Sequence, residues 1–464
     1  MAWKGTARGA AVLLAALWLP LCAAEKRAVI IDIDGVRRDT FEQTCREGRL
    51  PNFQRILETA LWFDNAAAVF PSVTLPGQAS IFTGVFPARH GIIGNEWFDR
   101  AAERLVDYTS PAGGGCVYGF TLFGTECREG LANRHLQAPT LYEAATVAGL
   151  TSTVVFNQYW RGATHPVAPS LADVLSFVQG ESVDYEAFDA RMMDRALETL
   201  AQDGLPAVLT LYFAGADDVG HALGISAQPR YLERVVDRQL ARLVDALEGF
   251  DPEWRSRTLF VITADHGRTD AVLNPEDLTI AADLQAALAR AGFDADRMRL
   301  ATNGGMAYVY LKGASWTEAP LEEEVRAALG ELTGDPLLER VVESVRLRSE
   351  EDSPRAGDLL VLLKPDHYFG NRGLGSHHGS QYEPDLAVPL ILAQGGIAAG
   401  RSAERVSTTQ VARTIADYLG FPIEGAEPRL PVSWPVRKAS PYPSTTRLNP
   451  ISAVKASTAG RRSP

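Results

Sequence analysis

The stretch Thr258-Leu-Phe-Val-Ile-Thr-Ala-Asp265-His266-Gly267 sets an uncharged, β-branched-rich run directly before an acid, an imidazole and a glycine. Thr258–Thr263 reads as a strand buried on both faces, the pattern of a parallel sheet covered by helices. A charged pair at the end of such a strand needs a partner, because an unpaired buried charge is costly. Ligands in open α/β sheets bind beyond the carboxyl ends of the strands, so this one stretch suggests both a fold and a place for chemistry.

Similar runs occur along the chain at Ala28–Ile33, Ser152–Phe156, Ala207–Phe213, Met306–Leu311, Leu359–Leu363 and Val388–Leu392. Helical patterns fall between them. The clearest, Arg230 to Phe250, repeats apolar residues at Tyr231, Leu232, Val235, Val236, Leu240, Leu243, Val244 and Leu247. Tyr185–Leu200, Leu284–Ala291, Leu321–Leu329 and Gln410–Leu419 are weaker helices. Alternation of this kind predicts an α/β sandwich with a mostly parallel central sheet flanked by helices. Residues 297 to 370 break the alternation and read as a small inserted lobe without an active site of its own.

Three further strand ends carry the same residue types. Ala28–Ile33 runs into Asp34-Gly35, and Ala207–Phe213 into Ala214-Gly-Ala-Asp217-Asp-Val-Gly-His221. Past Leu359–Leu363 comes Gly373-Leu-Gly-Ser-His377-His378-Gly379. Singly each is weak: an Asp after a strand is usually a turn residue. Together they place three of the chain's eight histidines at one predicted sheet edge. No CxxC or Cys/His zinc-finger spacing exists, so any metal here is held by Asp and His.

A nucleophile candidate lies in Phe70-Pro-Ser-Val-Thr74-Leu-Pro-Gly-Gln-Ala-Ser-Ile-Phe-Thr-Gly84. Thr74 follows an extended entry and precedes a short helix, with Pro76 suited to its first turn. A hydroxyl there faces unpaired N–H groups and the positive end of the helix dipole. The plain alternative is that Thr74 serves only as the helix N-cap.

The remaining composition sets bounds. The 464 residues are 46% hydrophobic and carry a net charge of −12, which suits a large core and argues against a surface that coats nucleic acid or anionic membrane. Residues 1–24 read as a secretory signal: Lys4 and Arg8 precede the apolar Gly9–Leu21, then Cys22-Ala23-Ala24 offers small residues for cleavage. The apolar run is too short for a comfortable transmembrane helix, and Leu21 before Cys22 fits a lipoprotein box poorly. The mature protein is expected to be secreted or periplasmic. Of the cysteines left, Cys116 and Cys127 could pair, leaving Cys45 free. The catalytic domain is expected to span residues 25–440, and the tail 441–464, rich in Ser, Thr, Arg and Pro, to be disordered.

Taken in order, the motifs are Ile33-Asp34-Gly35, Pro71-Ser-Val-Thr74-Leu-Pro, Thr83-Gly-Val-Phe-Pro87-Ala-Arg-His90-Gly-Ile-Ile-Gly-Asn95, Asp217-Asp-Val-Gly-His221, Ala264-Asp265-His266-Gly267 and Ser376-His377-His378-Gly379. In order and spacing, across roughly residues 28 to 420, this set resembles the nucleotide pyrophosphatase/phosphodiesterase (type I phosphodiesterase) family of the alkaline phosphatase superfamily. The resemblance implies an alkaline-phosphatase-like sandwich and two Zn2+ ions. One would be held by Asp34, Asp265, His266 and the Thr74 hydroxyl, the other by Asp217, His221 and His378. His378 is preferred to His377 because the family's ligand immediately precedes Gly. The resemblance also makes Thr74 the nucleophile, forming a phosphothreonine intermediate, with Asn95 and N–H groups near Thr74 holding a phosphoryl oxygen.

Departures from the family concern the substrate. Nucleotide-specific members place an aromatic ring directly after the nucleophile, where this chain has Leu75. The family's aromatic-Trp-Pro-Gly run reads Tyr159-Trp160-Arg161-Gly162 here, and Arg161 offers either a phosphate contact or a surface charge. Phe177, Tyr185, Tyr159 and Trp97 are candidate pocket aromatics. Arg37, Arg38, Asp218 and His90 neighbour the motifs in weaker roles, and His135 and His165 fit no ligand pattern. The expected activity is that of an exported phosphodiesterase or pyrophosphatase acting on a small-molecule phosphate ester. The alternatives are a phosphomonoesterase or phosphonate hydrolase of the same superfamily, and an inactive metal-stabilised binding protein. A sulfatase is disfavoured, since no Cys/Ser-x-Pro-x-Arg motif occurs.

Overall fold

The computed structural model describes residues 26–434, apart from 111–112, 114–115, 121, 123–124, 179–183, 273 and 371–374. The signal and tail expectations lie outside the described residues. Among the described residues, no helix is long and apolar enough to cross a membrane.

An eight-stranded sheet organises the chain. Its order is Gly400–Ser407, Ala60–Ala67, Leu390–Gln394, Thr258–Thr263, Arg27–Ile33, Val208–Phe213, Ser152–Val155 and His165–Val167. All neighbours run parallel except Leu390–Gln394, which is antiparallel to both of its partners. The central Thr258–Thr263 strand is buried throughout. Its side chains alternate between two cores: Leu259 and Val261 face one layer of helices, Phe260 and Ile262 the other. Burial on both faces is why the run carries no polar alternation.

Met306–Leu311 and Leu359–Leu363 have the apolar pattern of parallel-sheet strands within the stretch 297–370, and they lie apart from the large sheet. They pair with each other, antiparallel, in a separate sheet ordered Met298–Asn303, Met306–Leu311, Leu359–Leu363, Val342–Leu347. A fully buried run has the same apolar signature in either sheet type, so the pattern alone does not separate them. The helices Ile280–Arg290 and Glu322–Gly334 close a core over this second sheet. The edge strand Gly400–Ser407 and its neighbour Ala60–Ala67 escape a sequence reading because they mix charged and apolar residues.

The helix after the nucleophile candidate spans Thr74–Thr83 and ends at Gly84 in the left-handed conformation. From Leu75 to Thr83 every residue is buried. Val73, with an extended backbone, occupies the N-cap position, so Thr74 is the first helical residue and not the cap. Its hydroxyl is thereby released from the commonest structural job of such a residue.

Candidate active site

At the carboxyl edge of the large sheet, Asp34, Asp217 and Asp265-His266 follow three adjacent strands. Asp217 and His221 sit one turn apart on the helix Gly215–Leu223. His378 arrives differently from the sequence expectation. It follows a short strand, Ser376–His377, that pairs with Thr269–Asp270 just beyond His266. Two groups of ligand-type atoms result, Asp34/Asp265/His266 and Asp217/His221/His378, each with its atoms within 4.8 Å of one another.

Thr74 lies beside the first group, its Oγ 3.3 Å from His266 Nε2. Gly77 makes that approach possible: a Cβ there would fall 2.4 Å from the Asp265 carbonyl oxygen. His266 Nε2 is 3.2 Å from Asp34 Oδ1, and Tyr212 donates its hydroxyl to the other Asp34 oxygen. Across the site, His221 Nε2 and His378 Nε2 face each other at 3.1 Å, and the His266 and His378 rings stack at 3.8 Å. His377 turns away to stack on Tyr368, so His378 and not its neighbour completes the group.

The donor chemistry fits a pair of cations. Each imidazole spends its Nδ1–H on a backbone carbonyl: His221 on Ser376 at 2.9 Å, His266 on Gly267 at 2.9 Å and His378 on Ser72 at 3.1 Å. With Nδ1 so occupied, loss of the Nε2 proton on binding a cation would leave each Nε2 as a lone-pair end, the tautomer a metal requires. The buried Asp265 Oδ2 has no hydrogen-bond partner, and Asp34 Oδ1 has only His266 Nε2 within reach. Burial, then Asp265 and Asp217, push the Asp34 carboxyl up to about 8. Burial opposes charge on His266, yet Asp265 and Asp34 hold it up at about 10. Crowded carboxylates that capture protons in this way are a site short of positive charge.

Asp217 behaves oppositely. Burial alone would raise it, but Arg268 and then His221 hold its carboxyl well below the usual range. Arg268 is fully buried, pairs with Asp217 and donates to Ser376 Oγ at 2.7 Å. Its position directly after Asp265-His266-Gly267 is the one sequence signal for it.

Asn95 takes the Leu75 N–H on its Oδ1 at 3.0 Å. This N–H therefore orients Asn95 and is not one of those left to a phosphoryl oxygen; the Asn95 NH2 is the remaining donor. Beside Thr74 opens a cavity of about 300 Å³ lined by Leu75, Tyr108, Thr109, Tyr118, Phe156, Gln158, Tyr185, Tyr212 and Asp218 among others. Tyr118 and Phe156 stack at 5.2 Å. No lysine or arginine lines this cavity among the described residues. Tyr185 was anticipated from sequence; the other rings come from separate segments with no shared spacing.

The other candidates lie apart. Tyr159 is wholly buried, and Trp97 donates to the Tyr108 hydroxyl at 3.2 Å behind the cavity wall. The Phe177 side chain lies outside the described residues. Arg161 is engaged by Glu143 and the carbonyls of Asn133, Leu136 and Ala138. Arg37 and Arg38 pair with Asp39 and Glu383. His90 bonds Ser80 within the core, His135 the Tyr108 hydroxyl, and His165 lies 3.3 Å from Asp203.

Residues 28–382 match the family model described as type I phosphodiesterase / nucleotide pyrophosphatase. The chain belongs to this family. Human ectonucleotide pyrophosphatase/phosphodiesterase family member 1 is 24% identical over 240 residues, 52% of this chain but only 23% of the human protein. Alkaline phosphatase PhoD of Zymomonas mobilis is 23% identical over 518 residues, 86% of each chain. Among solved structures, alkaline phosphatase PafA superposes with a TM-score of 0.68 at 18% identity, covering 87% of this chain and 98% of PafA. An inactive variant of murine ectonucleotide pyrophosphatase/phosphodiesterase 5, solved in complex with AMP, gives 0.62 at 17% identity over 88% of this chain and 97% of its own. At these identities the structures establish the alkaline-phosphatase-like fold. The names of these relatives are those of hydrolases acting on phosphoric ester bonds.

Proposed function

We propose that the chain is an exported phosphodiesterase or pyrophosphatase that cleaves its substrate through a phosphothreonine on Thr74. Asp34, Asp265 and His266 would hold one zinc ion together with the Thr74 hydroxyl, and Asp217, His221 and His378 the other. Such a pair supplies charge for the attacking and leaving oxygens and lowers the pKa of a coordinated hydroxyl or water. Thr74 Oγ attacks phosphorus, the P–O bond to the leaving group breaks, and the Asn95 NH2 donates to a non-bridging oxygen. Water then cleaves the phosphothreonine and restores the Thr74 hydroxyl.

The observation that carries the preference for diesters is the cavity wall. A monoester brings two negative charges on the transferring group, a diester one. The wall offers rings, hydroxyls and the Gln158 amide, with Asp218 nearby, and no lysine or arginine among the described residues. Arg161, the basic residue the sequence set closest to this role, is already fully engaged. The rings suit a planar or apolar leaving group, with Leu75 in place of the ring nucleotide-specific members carry. Export agrees with the Cys116–Cys127 disulfide, a bond that persists in oxidising compartments.

Turnover of a nitrophenyl phosphodiester and of the matching monoester tests the reading, run beside Thr74→Ala with bound zinc measured. The diester should be the faster substrate. Thr74→Ala should keep most of its zinc and lose nearly all turnover. Faster monoester hydrolysis overturns the diester assignment, and activity retained by Thr74→Ala removes Thr74 from the mechanism.

A further inference from the structure

The small antiparallel sheet touches the site through the turn of its first hairpin. Met298–Asn303 and Met306–Leu311 are joined by Gly304-Gly305, and Asn303 pairs with Met306 where the hairpin closes. The Asn303 side chain is buried, and both ends of its amide go to one residue. Its Oδ1 accepts the Glu96 N–H at 3.1 Å, and its Nδ2 donates to the Glu96 carbonyl at 3.0 Å. This is the two-bond exchange that a neighbouring strand would make with Glu96.

Glu96 is the residue next to Asn95. The same segment is gripped at Ile93, whose carbonyl accepts the Tyr308 hydroxyl of the second hairpin strand at 3.1 Å. Asn95 itself gives its carbonyl to the Tyr108 N–H at 3.0 Å and its Oδ1 to the Leu75 N–H at 3.0 Å. The Asn303 amide also fills the space over Gly94, where a Cβ would fall 2.5 Å from its Oδ1. On its other side the turn abuts the His378 loop. Gly304, at φ +66°, passes so close that a Cβ would lie 1.9 Å from the His378 carbonyl oxygen.

We propose that Asn303 is a positioning residue, which aims the Asn95 amide at the phosphoryl oxygen by clamping the Glu96 backbone from the second sheet. The proposal rests on the function set out above. Hydrogen bonds weaken steeply as their angle closes, so a donor that must meet an oxygen forming at the reacting phosphorus needs its backbone fixed. The Leu75 contact orients one end of the Asn95 side chain, and the Asn303 clamp fixes the chain that carries it. A contact of this kind matters most where charge builds up, so its loss falls on kcat and leaves KM nearly unchanged.

The test is a double-mutant cycle on the zinc-loaded enzyme with the nitrophenyl phosphodiester, recording kcat, KM, bound zinc and melting temperature. Asn95→Ala should lower kcat on the order of 100-fold, the usual cost of one oxyanion donor. Asn303→Ala should lower kcat about 10-fold, a fraction of what a misplacement near 1 Å can cost, with KM and zinc content held. In the Asn95→Ala background, Asn303→Ala should cost less than about 2-fold, because two residues acting through one donor are not additive. Losses that multiply, or a loss confined to KM or zinc, overturn the proposal. If Asn95→Ala itself leaves kcat intact, it is the assigned role of Asn95 that fails, and the clamp with it. Should Asn303→Ala not fold, Gly94→Ala displaces the same amide from the opposite side and should show the same kcat-only loss, again absent beside Asn95→Ala. Full kcat in a folded Gly94→Ala overturns the proposal.

Discussion

Arg268 has no solvent exposure, yet it faces Asp217 of the candidate ligand group rather than a surface acid. It joins Asp217 to Ser376, and Ser376 in turn donates to the Gly220 carbonyl at 2.6 Å and accepts from His221. One guanidinium thus ties the Gly215–Leu223 helix to the loop that carries His378. Its charge keeps Asp217 ionised far below the ordinary carboxylate range despite burial. Replacing it by the uncharged Met lets burial dominate, so the Asp217 carboxyl takes up its proton at a higher pH. Protons compete with a metal for the same oxygen, and zinc should therefore leave Arg268→Met at a higher pH than it leaves the native protein. Bound zinc measured after dialysis across pH 4 to 8 should show the midpoint raised by about one unit or more. An unchanged midpoint would mean that Arg268 is only a brace. The motif residues were legible because each is a strong ligand type at a strand end. Arg268 was marked only by its place directly after Asp265-His266-Gly267, since nothing in its identity says that it points inward.

At the level of elements, the wall of the cavity is held by a covalent strap. Cys116 and Cys127 are bonded, with Cα atoms 4.5 Å apart, as the sequence had allowed. Val117 and Tyr118 follow Cys116 directly, and both line the cavity. Closing a loop of 11 residues removes chain freedom equivalent to about 3 kcal/mol by the usual loop-entropy relation. Without the bond, Tyr118 no longer has a fixed place from which to stack on Phe156. Cys127→Ser should raise KM severalfold for an aromatic diester while kcat changes little, because the nucleophile and the ligand groups stand on other elements. Steady-state kinetics on the variant checks this, and an unchanged KM would remove the strap from substrate binding. Elements show the same division of legibility as residues. The central strands and the long helix ending at Phe250 were readable from unbroken apolar patterns. The strands Ala60–Ala67 and Gly400–Ser407 and the antiparallel pairing of Met306–Leu311 with Leu359–Leu363 were not, because pairing partners are set by long-range topology and leave no local pattern.

Over the whole molecule, charge and shape pull the substrate in different ways. The chain carries a net charge of −12, and the cavity adds Asp217 and Asp218 to its own rim without a lysine or arginine among the described lining residues. Bound zinc ions would be the main positive charge that a phosphate meets, and their charge would be shared among three carboxylates and three imidazoles. A single extra negative charge on the substrate then finds repulsion from the surrounding acids with no side-chain cation to offset it. At about 4 Å and an effective dielectric near 20, one opposite charge would be worth up to about 4 kcal/mol before desolvation is counted. Gln158 is the place to supply it: the residue lines the cavity, and its Oε1 is buried with no hydrogen-bond partner. Gln158→Lys should therefore raise kcat/KM for a nitrophenyl monoester relative to the matching diester by about 10-fold or more, equivalent to 1.4 kcal/mol. Adding salt should shrink that gain if it is electrostatic, less so for a pair shielded inside the cavity than for one at its mouth. A ratio that does not move in a folded, zinc-loaded variant would show that discrimination lies in the shape of the aromatic wall, and Tyr118 and Phe156 would then be the residues that set it.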